Sequence, residues 1–424
     1  MNIEIISTIF LACALIHSFS ASYFAKLSHK FPEGSATEAF FHLLSEVEVV
    51  FGFWAFAFLT TWFFIAGSEP VIQYQQSLQM TEPLFIFCIM ILASTRPIIN
   101  LARQLILQTC TFLQKIFPVD VRYIQIFVLL GIGPIMGSFI TEPAAITILA
   151  LLLYRMIDEK TDEKFLYGIL ALLFVNISIG GGLTHFAAPP ILIVASKFGW
   201  GLKDVFLNLG EAVLLAVFLN VSFFIFWFRL KIKTQLNVLS DDKYTIPYWV
   251  TGLHVLFLIL VIMTAHYEKV FMGLFLIFIG LTTVTKKYQD GLKVKEAFLV
   301  AFFLAGLIVF GSLQKWWLTP VLAVLKDNAL YFVATGLTAI TDNAALTFLG
   351  SQVETLSETS KWALVSGAIS GGGLTILANA PNPAGFAILG SKFPNKSLNA
   401  VKLFLAALIP TAIACVSFQL LGNF

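Results

Sequence analysis

The stretch TEPAAIT at residues 141–147 returns as TDNAALT at residues 341–347. Four of the seven positions are identical, and each copy places an acid, Glu142 or Asp342, inside an otherwise apolar segment. Further matches follow in the same order, with SIGGGLT (178–184) against AISGGGLT (368–375) and SKF (196–198) against SKF (391–393). The shared order predicts two homologous repeats in one chain.

The composition predicts an all-α polytopic membrane protein. Of 424 residues, 58% are hydrophobic and 12% are charged, against about 25% charged in an ordinary soluble domain. Apolar runs of about 17–25 residues, long enough to cross a bilayer as helices, recur along the chain. They cover Glu4–Phe24, Phe40–Ala66, Pro83–Asn100, Val205–Trp227, Tyr248–Ala265, Val270–Val284, Ala297–Ser312 and Val401–Leu421.

The distribution of Lys and Arg predicts the orientation, since these residues stay on the cytoplasmic side. It predicts a multi-pass protein of the plasma (bacterial inner) membrane with its N-terminus outside. The charge pattern is satisfied only if two segments, about 123–156 and about 328–355, enter and leave on the same side. Each arm is then about 14 residues or about 21 Å long, too short to span. We expect about ten transmembrane helices plus two re-entrant hairpins.

An odd number of spans in each half inverts the second repeat relative to the first. The predicted repeats are residues 1–240 and 241–424. The hairpins and two broken helices, at about 165–198 and about 361–391, form the expected transport domain. The remaining spans form the expected scaffold.

The broken helices are predicted from glycine triplets with prolines behind them. The triplets are Gly180, Gly181 and Gly182 in the first repeat and Gly371, Gly372 and Gly373 in the second. Glycine tolerates non-helical dihedrals and proline removes a backbone donor, so both interrupt a helix. Close packing of helices through small residues is the alternative. The matching positions in the two repeats favour broken helices, which survive in a membrane only where they are buried or line a cavity.

The two acids are the central functional prediction. Helix capping explains Asp342 adequately but explains Glu142 poorly, because an ionisable group inside the membrane costs about 3 kcal/mol or more. Two hairpins entering from opposite faces would bring both acids together beside the broken helices. A buried carboxylate holds either a proton or a cation, and oxygen ligands suit hard cations. The predicted ion ligands are Thr141, Glu142, Thr184, Thr341, Asp342, Asn343, Thr375, Asn379 and Asn382.

Four further polar residues in apolar segments are candidates for a proton path. Glu46 and Glu48 lie in the second predicted span, Arg96 lies in the third, and His185 follows the first glycine triplet. A structural ion pair is the alternative for Glu46, Glu48 and Arg96. For His185 the alternative is a structural role as a core histidine whose ring nitrogens have hydrogen-bond partners.

At these motifs the sequence resembles the ion transporter superfamily, in the branch of arsenite-efflux permeases and NhaD-type sodium/proton antiporters. It looks most like the subgroup described as putative sodium/proton antiporters. Asp342 and Asn343 match the Asp-Asn pair of a hairpin, and Pro189 and Pro190 match the prolines of the first broken helix. The resemblance implies scaffold and transport domains, homodimers and elevator-type alternating access.

The chain departs from that pattern at three places. Glu142 and Pro143 replace the Asp-Asn pair of the first hairpin, Ala188 stands where the antiporters have an acid, and Ile191 replaces an Asn. The missing acid weakens the expectation of sodium specifically. Glu142 nevertheless keeps the predicted site at two carboxylates.

The sequence therefore predicts a secondary transporter, not an enzyme, that exchanges a monovalent cation, foremost sodium, for protons. It predicts no cofactor and no metal beyond the transported cation, with the bilayer as partner. A net charge of +2 without a basic block argues against nucleic acid. One alternative is an anion, oxyanion or dicarboxylate carrier that uses helix N-termini. A remote alternative is an intramembrane aspartyl hydrolase.

Overall fold

The computed structural model describes residues 2–28, 30–32, 34–158, 160–239, 246–325, 327–394 and 398–422, without the side chains of residues 19, 21, 22, 25, 47 and 48. The described chain is helical throughout, which confirms the all-α prediction. The first half contains α1 (Ile3–Phe19), α2 (Ala21–Ser28), α3 (Ala36–Ser45), α4 (Val47–Ala66), α5 (Ser68–Ser77), α6 (Thr81–Ala93), α7 (Arg96–Ile116), α8 (Val121–Phe127), α9 (Gly133–Ile140), α10 (Glu142–Met156), α11 (Glu163–Gly180), α12 (Pro189–Phe198) and α13 (Leu202–Gln235). A π-helical turn, Val128–Ile132, joins α8 to α9, and a 3₁₀ turn, Gly181–Leu183, follows α11.

The second half contains α14 (Tyr248–Met263), α15 (Glu268–Val284), α16 (Val294–Gly311), α17 (Lys315–Ala323), α18 (Asp327–Thr338), α19 (Asn343–Ser351), α20 (Glu358–Gly371), α21 (Asn382–Leu389) and α22 (Ala400–Leu421). Short 3₁₀ turns lie at Lys286–Tyr288, Ser312–Gln314 and Gly390–Lys392.

Six stretches of the described chain are long and apolar enough to cross a membrane. They are Val49–Ala66, Val121–Ile140, Glu163–Leu183, Leu202–Gln235, Val294–Ala323 and Ala400–Leu421. A seventh span is possible if the bent pair α5 and α6 counts as one, although a 60° bend separates them. Shorter apolar helices include α1, α12 and α14. These helices establish a multi-pass membrane protein.

Two predicted spans, Phe40–Ala66 and Pro83–Asn100, are each divided between two helices, and a charged residue lies near each division. Glu46 lies between α3 and α4, where it is the N-cap residue of α4. Arg96 lies at the first position of α7, after a turn that ends α6 at Ala93. Each residue thus lies at the end of a helix and not within one continuous helix, and the side chains are partly exposed, at 27% for Glu46 and 32% for Arg96.

The TEPAAIT segment lies at a sharp turn between two packed helices. Gly133 of α9 lies against Leu149 of α10, and a Cβ added to Gly137 would lie 3.4 Å from the Cβ of Ala145. These pairs are equidistant along the chain from Thr141, so α9 and α10 pack as an antiparallel pair around that residue. Thr141 has φ 72°, which is unusual for a β-branched residue. The turn thus sets Glu142 at the first position of α10.

The two broken helices α11 and α20 cross at repeat-related positions. Ser178 Oγ of α11 donates a 2.8 Å hydrogen bond to the Ile369 carbonyl of α20. A Cβ on Gly373 would overlap the backbone of Val175. The crossing requires a residue without a side chain, because backbone lies against backbone there. It places both glycine triplets at the centre of the molecule.

Candidate functional site

Glu142 is fully buried where the α9–α10 turn meets the end of α11. Its Oε2 accepts a 2.8 Å hydrogen bond from Asn379 Nδ2, 237 residues away. Its Oε1 has no hydrogen-bond partner among the described residues. A Cβ on Gly181 would overlap this Oε1, so the glycine triplet makes room for the carboxylate. Glu142 makes no cap bond to α10, which removes capping as its explanation.

Asp342 begins the matching helix of the second repeat. Its Oδ1 accepts hydrogen bonds from the Ala344 amide at 2.8 Å and the Ala345 amide at 3.2 Å, so it caps α19. The side chain is 8% exposed. Asn379, which donates to Glu142, lines the same small cavity as Asp342. Asn379 thus links the surroundings of the two acids, and Asp342 performs the capping that Glu142 does not.

Three asparagines near the broken helices use their amide nitrogens as donors and leave their amide oxygens unpaired among the described residues. Asn382 Nδ2 donates to the carbonyls of Gly372 at 2.8 Å and Thr375 at 2.9 Å. Asn343 Nδ2 donates to Ser178 Oγ at 3.3 Å. The Oδ1 atoms of Asn343, Asn379 and Asn382 are buried and have no partner among the described residues. Buried acceptors left unpaired cost about 1–3 kcal/mol each, which a bound cation would offset.

The four predicted threonines fall into different roles. Thr184 Oγ1 donates to the Ser138 carbonyl at 2.7 Å, and Thr375 Oγ1 donates to the Ala339 carbonyl at 3.0 Å. These two hydroxyls therefore tie each broken helix to its neighbouring helix. Thr141 Oγ1 is buried without a partner among the described residues. Thr341 is partly exposed on the turn before Asp342.

A larger cleft is lined by the residues on either side of Glu142, and a small cavity is lined by Asp342. A cleft of about 410 Å³ is lined by Thr141 and Pro143 at its inner end and by Glu46, Lys293 and Glu296 at its mouth. A small cavity of about 20 Å³ lies against Asp342 and Asn379. That volume is close to the room needed by one water molecule. The cleft and the small cavity share Ala380 and Pro383 in their walls.

Three of the predicted proton-path residues have partners other than the two acids. The side chain of Glu46 lies 3.5 Å from Lys295 Nζ at the mouth of the cleft. Arg96 lies 3.6 Å from Asp290. The ring centroid of His185 lies 6.4 Å from that of His266. The side chain of Glu48 lies outside the described residues.

Sequence reasoning missed two serines that build the site. Ser138 Oγ donates to the Gly180 carbonyl at 2.6 Å and accepts from the Leu183 amide at 2.9 Å, so it holds both sides of the first helix break. Ser178 bonds to Ile369 and to Asn343, which joins the repeats. Ser138 lies three residues before TEPAAIT and Ser178 is the first residue of SIGGGLT, and these positions were the available signal.

Comparison with known proteins gives one family. A family model described as "Putative Na+/H+ antiporter" matches residues 2–421, nearly the whole chain. No protein of curated annotation matches the chain.

Proposed function

This chain belongs to the putative Na+/H+ antiporter family, and from that premise we propose that it exchanges sodium for protons across the plasma membrane. The observation that carries the proposal is Glu142 Oε1, buried and without a partner among the described residues, on a carboxylate whose other oxygen accepts from Asn379. Carboxylate and amide oxygens are ligands for hard cations.

Exchange follows from the burial of Glu142. A bare carboxylate is costly in this surrounding, whereas a protonated or cation-bound carboxylate is not. Asp342 adds negative charge, which makes binding of one positive charge more favourable still. Because a proton and a cation neutralise the same carboxylate, binding of one releases the other. Repeating this on alternate sides of the membrane gives antiport.

We propose that the two halves are inverted repeats with re-entrant hairpins at α8–α10 and α18–α19. Support comes from matched contacts: Thr184 with Ser138 in the first half and Thr375 with Ala339 in the second. The hairpins and broken helices would move as the transport domain against the remaining scaffold, as an elevator. The dimeric state and the relationship to NhaD-type antiporters and arsenite permeases stay predictions.

We propose that the cleft opens to the cytoplasmic side of the membrane. Its mouth carries Glu46, Glu296 and Lys293, and Lys293 lies on the side that the positive-inside rule assigns to the cytoplasm. The two carboxylates there would raise the local cation concentration. The structure would then represent the inward-facing state.

The test is proton flux in vesicles that contain the purified protein and a pH-sensitive dye. Sodium added outside should move protons in the wild type, and the same experiment with lithium and potassium ranks the ions. Glu354→Gln is the matched control, because Glu354 is an exposed acid paired with Lys315 at 2.5 Å. If no monovalent cation moves protons, the proposal is wrong.

Two rival functions give different results. An anion, oxyanion or dicarboxylate carrier would be stabilised against heat by citrate, succinate or arsenite and not by sodium. Two carboxylates at the centre disfavour an anion there. An aspartyl hydrolase would cleave a membrane peptide, and Asp342→Asn would stop the cleavage.

A further inference from the structure

A further groove is lined by none of the residues of the candidate ion site. It holds about 430 Å³ between α11, α13 and α22, a size usual for a ligand site. Its walls are aromatic and aliphatic, with Phe224, Trp227 and Phe228 on one side and Leu405 and Ile409 on the other. Trp227 is 64% exposed and Leu405 is 58% exposed, so the groove opens toward the bilayer.

The groove has the length of one leaflet. From Lys402 to Ile413 along α22 it covers about 16 Å at 1.5 Å per residue, and half of the hydrocarbon core is about 15 Å. Asn220 closes its inner end. The Asn220 Nδ2 is committed to Asn176 Oδ1 at 2.9 Å, and its own Oδ1 has no partner among the described residues. An apolar chain would therefore end at Asn220.

The outer end of the groove is positively charged. Lys402 pairs with Glu163 at 2.7 Å, and Lys231 pairs with Asp162 at 2.6 Å. Lys164 also lines this end, and it makes no ion pair with any residue that the structure describes. The Lys164 ammonium is thus an additional positive charge beside the two ion pairs. Trp227 beside it is a residue type enriched at the membrane interface.

We propose that this groove binds a phospholipid with an anionic headgroup, independently of the transport cycle. One acyl chain lies along the aromatic wall, and the phosphate contacts Lys164 and the Lys402 ammonium. Apolar surface and basic charge are arranged at the spacing of a lipid tail and its headgroup. Because α11 ends at the glycine triplet that lies against Glu142, the bound lipid would brace a helix that packs against the ion site.

The experiment is native mass spectrometry of the purified protein with phosphatidylglycerol and with phosphatidylcholine of the same chains. We expect the wild type to retain phosphatidylglycerol at least several-fold better. Ala406→Phe fills the groove and should remove this retention. Ala412→Phe, on the same helix but outside the groove and exposed, is the matched control and should bind as the wild type does. Lys164→Gln should remove the headgroup preference without emptying the groove.

Equal retention of both lipids by the wild type would overturn the proposal, as would wild-type retention by Ala406→Phe. Both variants need a thermal unfolding curve, so that loss of binding is separated from loss of fold. Neither result depends on whether the protein exchanges sodium for protons.

Discussion

At the scale of single residues, the site depends on which oxygens keep a hydrogen-bond partner. Glu142 uses one carboxylate oxygen for Asn379 and leaves the other unpaired among the described residues. Asp342 uses Oδ1 to cap a helix. The sequence identified both acids and all three asparagines, but it did not show that Asn379 would contact Glu142. That contact joins residues 237 positions apart.

We predict that Asp342→Asn and Glu142→Gln each lower sodium-driven proton flux strongly while the protein stays folded and inserted. A charged ligand contributes about 1.5–3 kcal/mol, which corresponds to about ten- to hundredfold in cation affinity. The measurement is initial flux in vesicles against sodium concentration, with Glu354→Gln as control. Wild-type flux in Asp342→Asn would refute its role as a ligand. An unchanged pH profile in Glu142→Gln would refute the role of Glu142.

Gly181→Ala should also reduce flux, because its added Cβ overlaps Glu142 Oε1 and displaces the carboxylate. Gly336→Ala is the control, since nothing lies within 4 Å of the Cβ it would add. We expect a raised sodium concentration for half-maximal flux in Gly181→Ala only. If Gly181→Ala matched the control, Glu142 Oε1 would not be the ion ligand.

At the scale of elements, the parallel contact of α18 and α20 supports the second half of the site. A Cβ on Gly367 would overlap the Tyr331 carbonyl and lie 2.9 Å from Ala334 Cβ. Glycine periodicity in α20 was visible in the sequence. Its partner helix was not, because small residues serve any close helix contact.

Gly367→Ala should therefore lower the midpoint of thermal unfolding, at a cost of about 1–3 kcal/mol for overpacking. Gly336→Ala should raise it slightly, since alanine favours a helix by about 0.5–1 kcal/mol. Scanning fluorimetry in detergent compares the two. Shifts of the same sign would contradict the packing described here.

The stability of the protein should depend on pH through Asp162 at the N-terminus of α11, which lies just before the membrane-spanning stretch Glu163–Leu183. The hydrogen bond from Lys231 lowers the pKa of Asp162, which also caps α11 by accepting from the Phe165 amide at 3.1 Å. A lowered folded-state pKa stabilises the protein above the unfolded pKa of Asp, and this is lost as pH falls through the folded value. Asp162→Asn keeps the cap and removes the charge.

We expect Asp162→Asn to be less stable at neutral pH by under about 1 kcal/mol, because the pair is exposed. The difference from the wild type should shrink as pH falls below the folded-state pKa of Asp162. Thermal unfolding of both proteins across the acidic range measures this. A difference that grew on acidification would contradict the ion pair.

At the scale of the whole molecule, the cleft and a third cavity lie at opposite ends of α6 and α16. The cleft reaches Thr141 from the mouth at Lys293. A separate cavity of about 430 Å³ is lined by Ser77, Glu82 and Lys197. From the sequence, the positive-inside rule places Lys293 in a cytoplasmic segment and Lys197 in an outer one.

Ala384→Cys, in the cleft, should react with a membrane-impermeant maleimide from the Lys293 side only. Ser77→Cys, in the third cavity, should react from the opposite side only. The wild type, with Cys13, Cys88, Cys110 and Cys415, gives the background. Labelling of both variants from one side would overturn the assigned topology.

The sequence by itself determined the all-helical membrane class and the repeated motifs, and it predicted the residue types of the site. These depend on hydrophobicity, on glycine and proline geometry, and on motif spacing, all of which are local. The tertiary structure decided that Glu46 and Arg96 lie at helix ends, that Ser138 and Ser178 hold the crossing, and that the Asn379 amide faces Glu142. Those outcomes depend on how helices far apart in sequence cross, and no local propensity encodes a crossing.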